Sequence, residues 1–205
     1  MRTSLIGKSA LLLVVVAASA AACGAQGTSG SAGKPLPAEL AVEYNYVRSN
    51  APPGTCTCFN LNGGGASFAW PVASGRFAAV GEIAAVHAGS ISPNSYGLTL
   101  STYTAGVRYL PRFTRWSMQP FGQVLAGVAH SSGSLVQGQY SLATNAGAAF
   151  AASVGGGLDL RANRRISLRL VEADYLATTI DNGSNNHQNN LRVSAGVVFH
   201  FLSVK

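Results

Sequence analysis

The sequence predicts an all-β protein: an eight-stranded antiparallel up-and-down β-barrel that crosses a membrane. Three observations carry that expectation. First, the segment Asn190–Phe201 alternates. Leu191, Val193, Ala195, Val197, Phe199 and Phe201 share one parity; Asn190, Arg192, Ser194, Gly196 and His200 share the other, with Val198 the one apolar exception. Successive side chains of a strand point to opposite faces, so one face here is apolar and the other polar. Second, the rhythm recurs along the chain, and the polar parity gathers most of its charges. Third, the connections alternate between short and long. Together these describe a barrel turned inside out, with apolar side chains toward lipid and charged ones toward the lumen.

Residues 1–25 read as a secretory signal peptide. Arg2 and Lys8 give a positive start, Ala10–Ala22 is a short apolar run, and cleavage fits after Ala22 or Ala25. That run falls short of the roughly 20 apolar residues a spanning helix needs, and no later segment is better, so any crossing must be made by strands. Cys23 follows three alanines in a weak likeness to a lipidation site; an ordinary cleavage site is the plainer reading. Residues 26–39, rich in Gly, Ser and Pro, form a flexible lead-in, and residues 40–205 form the barrel.

The elements follow in order. Leu40–Ser49 sets Tyr44 and Tyr46 against Glu43, and Cys58–Trp70 ends on an aromatic after the Gly63-Gly64-Gly65 run, where glycine relieves crowding or permits a bend. Arg76–Ala88 sets Phe77 against Glu82, and Leu98–Tyr109 sets Tyr103 and Tyr109 against Arg108. Ser117–His130 opens with Pro120-Phe121-Gly122-Gln123, and Ala146–Arg161 carries Asp159 on its polar parity. Ile166–Thr178 breaks the rule, because Ile166, Leu168 and Leu170 share parity with Glu172 and Asp174. A β-bulge near Leu170–Val171 restores it, turning Arg169, Glu172 and Asp174 inward together. Asn190–Phe201 closes the set. These segments run from about 10 to 16 residues, longer than the usual soluble strand of about 5 to 6 and suited to a tilted crossing of about 9 to 11.

The short connections are Pro71–Gly75, Leu110–Trp116 and Ala162–Arg165; the long polar ones are Asn50–Thr57, Gly89–Gly97, Ser131–Asn145 and Thr179–Asn189. An even strand count places both termini on the short-turn side, which is periplasmic in such barrels. Tyr44, Tyr46, Trp70, Phe77, Tyr103, Tyr109, Trp116, Tyr175, Phe199 and Phe201 fall near strand ends, as interfacial girdles require.

Charge excludes one function class. The formal charge of +7 becomes +5 when Arg2 and Lys8 leave with the signal, yet only three lysines occur and no basic run is interleaved with aromatics, so no nucleic-acid partner is expected. Charged residues make up 10% of the chain, against about 25% in typical soluble domains. Such poverty fits a surface that faces lipid.

The stretch Leu168-Arg-Leu-Val-Glu-Ala-Asp-Tyr175, the polar loop after it and Gln188–Phe201 resemble the closing hairpin of OmpA-type outer-membrane β-barrel proteins, and the Pro120–Gln123 opening is similar to theirs. The resemblance implies outer-membrane lipid as surroundings, a barrel without the peptidoglycan-binding domain of longer members, and recognition of the aromatic terminal strand, here Phe199 and Phe201, by the barrel assembly machinery. It also implies structural, surface-contact or minor small-solute roles.

The expected interior holds Glu43, Glu82, Arg108, Asp159, Arg169, Glu172, Asp174 and Arg192. Ions in so narrow a lumen must pair, so the charges are expected to plug it or to gate it. No catalytic residue, cofactor or metal site is expected, and the chain is expected to act as a monomer. Cys56 and Cys58 in the first long loop could form a disulfide in an oxidising compartment, although one intervening residue makes the bridge awkward. Two alternatives stand against this reading. A soluble or lipid-anchored periplasmic lipocalin-like barrel, binding an apolar ligand, would turn Leu191, Val193, Val197 and Phe199 inward and Arg192 outward. An outer-membrane lipid hydrolase would use His130 and Ser132, but no acid lies in the adjoining loop to orient the histidine.

Overall fold

A computed structural model describes residues 37–49, 58–72, 76–89, 97–111, 117–133, 148–180 and 187–201. The expected signal peptide, Cys23, Cys56 and Trp116 lie outside these residues. Eight strands occur in chain order: β1 (Ala38–Ser49), β2 (Phe59–Val72), β3 (Phe77–Ala88), β4 (Leu98–Tyr109), β5 (Met118–Gly133), β6 (Ala148–Arg161), β7 (Ile166–Thr178) and β8 (Gln188–Phe201). Each pairs antiparallel with its sequence neighbour, and β1 pairs with β8, which closes the barrel. Closure leaves no unpaired strand edge. Among the described residues no helix is long and apolar enough to cross a membrane, which says nothing about crossing by strands.

The barrel is inside out. Leu191 is 51% exposed and Phe199 40%, while Arg192 between them is 3% exposed. This orientation corrects the lipocalin-type alternative, which needed the reverse. The expected bulge is present: Leu158 pairs with Val171 and Asp159 with Arg169, leaving Leu170 without a partner on β6, and the β7–β8 register shifts between Arg169 and Glu172. Leu170 and Val171 therefore both face outward, at 44% and 42% exposure, and Arg169 and Glu172 both face inward, at 1% each.

Strand ends depart from the expected ones where pairing outruns pattern. β1 begins at Ala38 because Ala38 pairs with Phe201, so Glu39 belongs to the barrel wall instead of the lead-in. β5 continues to Gly133, which pairs with Leu98, and β8 begins at Gln188, which pairs with Thr178. Most of the expected girdle aromatics are exposed on the outer face near strand ends, and Phe77 and Tyr109 meet there with ring centroids 5.3 Å apart. Tyr44 and Tyr103 are the exceptions, central in β1 and β4.

Candidate functional site

The interior is layered along the barrel axis. Toward the long loops it is apolar: Val47, Phe59, Leu61, Val86, Leu98, Leu100 and Leu176 form one buried cluster. Below it, toward the short turns, lies the ionic layer, flanked by a second apolar cluster that includes Val80, Leu110, Phe121 and Leu125. The structure places all eight expected charges inside, each buried, and joins them through three arginines. Arg169 is the hub. Its Nε and Nη2 donate to the two oxygens of Asp159 at 2.9 and 3.1 Å, a bidentate fork, while Nη1 donates to Glu172 Oε2 at 2.7 Å and to Glu43 Oε1. Arg192 donates through Nη1 and Nη2 to both oxygens of Glu82 and through Nη2 to Asp174 Oδ2, with Glu172 Oε1 at 3.6 Å.

Arg108 belongs to the same network by a relay. Its Nε and Nη2 donate to Gln123 Oε1 at 3.1 and 2.8 Å, and Gln123 Nε2 donates to Glu172 Oε1 at 3.0 Å. Glu39 lies 3.8 Å from Arg108 Nη1. The ring of Phe121 sits between two cations, 4.2 Å from the Arg108 guanidinium carbon and 4.5 Å from that of Arg169. Both guanidiniums thus gain a face of π density in a dry setting, where such contacts are strongest.

Glycines make room for this layer. A Cβ at Gly155 would stand 2.1 Å from Asp174 Oδ1, and one at Gly157 would stand 2.7 Å from Phe121 Cζ. The wall is stripped to backbone where the largest interior side chains press against it.

Three residues of the network escaped the sequence reading. Glu39 was hidden in the lead-in. Gln123 lies on the inward parity of β5 and could have been found there. Phe121 shares that parity, but a rule sending aromatics to lipid turns it the wrong way. The apolar cluster was missed for the same reason, since Val47, Leu61, Val86 and Leu176 sit on the parity assigned to the polar lumen.

Six carboxylates (Glu39, Glu43, Glu82, Asp159, Glu172, Asp174) face three guanidiniums among the described interior residues. Oxygens of Glu82, Glu172 and Asp174 lie within 4.8 Å of one another, a spacing a metal ion could bridge. Arg192 already bonds two of the three. His130 and Ser132 both face outward on β5, whereas Asp159 is buried and held by Arg169, so no described acid serves His130. Elsewhere Ser167 Oγ lies 2.7 Å from His200 Nε2, and His200 Nδ1 lies 3.5 Å from Glu39 Oε1, at the short-turn end of the lumen. Cys58 is exposed and has no disulfide partner among the described residues.

A closed eight-stranded antiparallel wall, apolar outside and ionic within, defines the class: this is the fold of the small outer-membrane β-barrels. Among solved structures the chain is similar to Neisserial surface protein A, at 12% identity and a TM-score of 0.56 over 80% of this chain and 97% of that one. It is similar also to the attachment invasion locus protein Ail of Yersinia pestis (15%, 0.52, over 81% and 100%) and to OprG of Pseudomonas aeruginosa (12%, 0.50, over 82% and 98%). At these identities the likeness is one of fold alone. No family model and no curated protein sequence matches the chain.

Proposed function

We propose that the protein is an integral outer-membrane barrel, monomeric and non-catalytic, that holds its long loops at the cell surface while its own lumen stays shut. The observation that supports this reading most strongly is the filling of the interior by the arginine-centred ion network and by apolar clusters on both sides of it. An eight-stranded lumen is only wide enough for side chains, and charged and apolar ones here share that space. What remains available for contact is the loops, in keeping with the name of Ail, an attachment invasion locus protein. In this reading both termini are periplasmic, and the strand ending in Phe199 and Phe201 is what the assembly machinery engages.

The test has two parts. Membrane fractions run on a gel in mild detergent, with and without boiling, are expected to give a compact band that shifts on heating; recovery in the soluble periplasm instead would overturn the membrane reading. In planar bilayers the native protein is expected to pass no sustained current. Arg192→Ala alone leaves the apolar cluster in place and is expected to stay closed, whereas Arg192→Ala with Leu61→Ala and Leu100→Ala is expected to leak. A steady native conductance would replace the closed barrel by a pore.

A further inference from the structure

Every described acidic side chain points into the lumen, so the outer surface of the described barrel carries arginine and no carboxylate among its exposed residues. Those exposed arginines are unevenly placed. Arg48 is alone toward the loops, while Arg76, Arg161, Arg164 and Arg165 lie at the short-turn end. The β6–β7 turn that presents Arg164 and Arg165 is firmly built: Asn163 Oδ1 accepts from the backbone N–H of Arg165 at 2.7 Å and of Ile166 at 2.8 Å, and the Arg165 carbonyl accepts from His200 N–H at 2.7 Å. Its guanidiniums therefore project from a fixed base.

We propose that this short-turn rim binds the phosphate headgroups of anionic phospholipids in the leaflet it faces; the inference rests on the membrane reading above. Two features select lipid over other polyanions. The first is depth. Arg76 directly precedes the exposed Phe77, and Arg165 directly precedes Ile166, which pairs with Phe199 on the apolar outer face. One strand residue spans about 3.3 Å, so these guanidiniums sit a single step beyond the hydrocarbon, where phosphates lie. The second is distribution. The β2–β3 and β6–β7 turns are four strands apart in a ring of eight, on opposite sides of the barrel. Lipid surrounds a barrel on all sides, whereas one docked partner covers one side. Segregating the acids inside leaves the rim free of carboxylates that would repel such headgroups.

The chain has two tryptophans, so Trp116→Phe leaves Trp70, on the outer face near the same rim, as the sole reporter. Quenching of Trp70 by brominated phosphatidylglycerol is compared with quenching by brominated phosphatidylcholine in mixed vesicles. Enrichment of the anionic lipid by about fivefold or more is expected, since one arginine near an anionic surface is worth about that factor. It should fall clearly in Arg76→Gln/Arg164→Gln/Arg165→Gln, whose side chains are exposed, and vanish in about 0.5 M sodium chloride, where the screening length is only a few ångström. Equal quenching by the two lipids overturns the proposal. Displacement by inorganic phosphate beyond that of chloride at equal ionic strength would assign the rim to free phosphate instead, and displacement by soluble anionic cell-wall glycan would assign it to that polymer. The heat-shifted gel band is read on each sample: no insertion into either vesicle fails the membrane reading, while insertion without enrichment fails this inference alone.

Discussion

The loop-side and turn-side halves of the lumen are enclosed by the same eight strands with the same alternation, and each holds an apolar cluster, yet only the turn side adds a network of buried ions. Toward the loops, Val47, Leu61, Val86, Leu100 and Leu176 pack as a soluble core would. Toward the turns, three arginines bind the carboxylates that surround them. The apolar half is held by contacts that each count little and fail one at a time. The ionic half is held by a few groups that cannot be removed singly, because each leaves buried charges without a partner. A barrel wall therefore dictates only that its interior be filled.

The comparison can be broken most severely at Arg169. Arg169→Met keeps the bulk but leaves Glu43, Asp159 and Glu172 without their shared cation; a loss of about 3–5 kcal/mol is expected from urea unfolding in detergent or bilayer. Adding Glu172→Gln to that variant should restore part of the loss, since charge and counter-charge then leave together. An additive result would mean that the network is a set of independent contacts.

In the apolar half, Leu61→Ala should cost about 3 kcal/mol by the same assay, through lost burial and the cavity left behind. Its cost should be indifferent to a second change at Arg169, because the two fillings share no hydrogen bond. Gly155→Ala tests the wall itself. The new methyl would crowd Asp174 Oδ1 and the Ala173 carbonyl, at an expected cost of about 1–3 kcal/mol. The smallest effect is expected from Phe121→Leu, which retains apolar bulk but removes both cation–π contacts; about 1 kcal/mol is the scale. A zero effect there would reduce Phe121 to a spacer.

Much of this was legible in the chain, and the misses share a cause. The alternation of β8, the eight segments and the bulge at Leu170–Val171 were readable because strand parity is a property of adjacent residues. Two like-charged residues on the wrong parity in β7 signal an inserted residue before any partner is known. The apolar cluster, Phe121 and Glu39 were not readable by the same means. Parity separates wall faces but does not say which filling a given depth receives, and hydrophobicity alone sends every phenylalanine to lipid. Glu39 fell on the wrong side of a boundary defined by its pairing with Ala69 on β2 and with His200 across the β1–β8 seam.

The sequence by itself determined the strands, their outward and inward faces, and the inward placing of Glu43, Glu82, Asp159, Glu172 and Asp174, because each follows from side-chain direction along a local stretch. Only the tertiary structure decided who pairs with whom. Arg169 meets Glu43 across 126 residues of chain and Arg192 meets Glu82 across 110. Those meetings depend on the closure of β1 onto β8 and on the stagger of every strand between, which no single segment encodes.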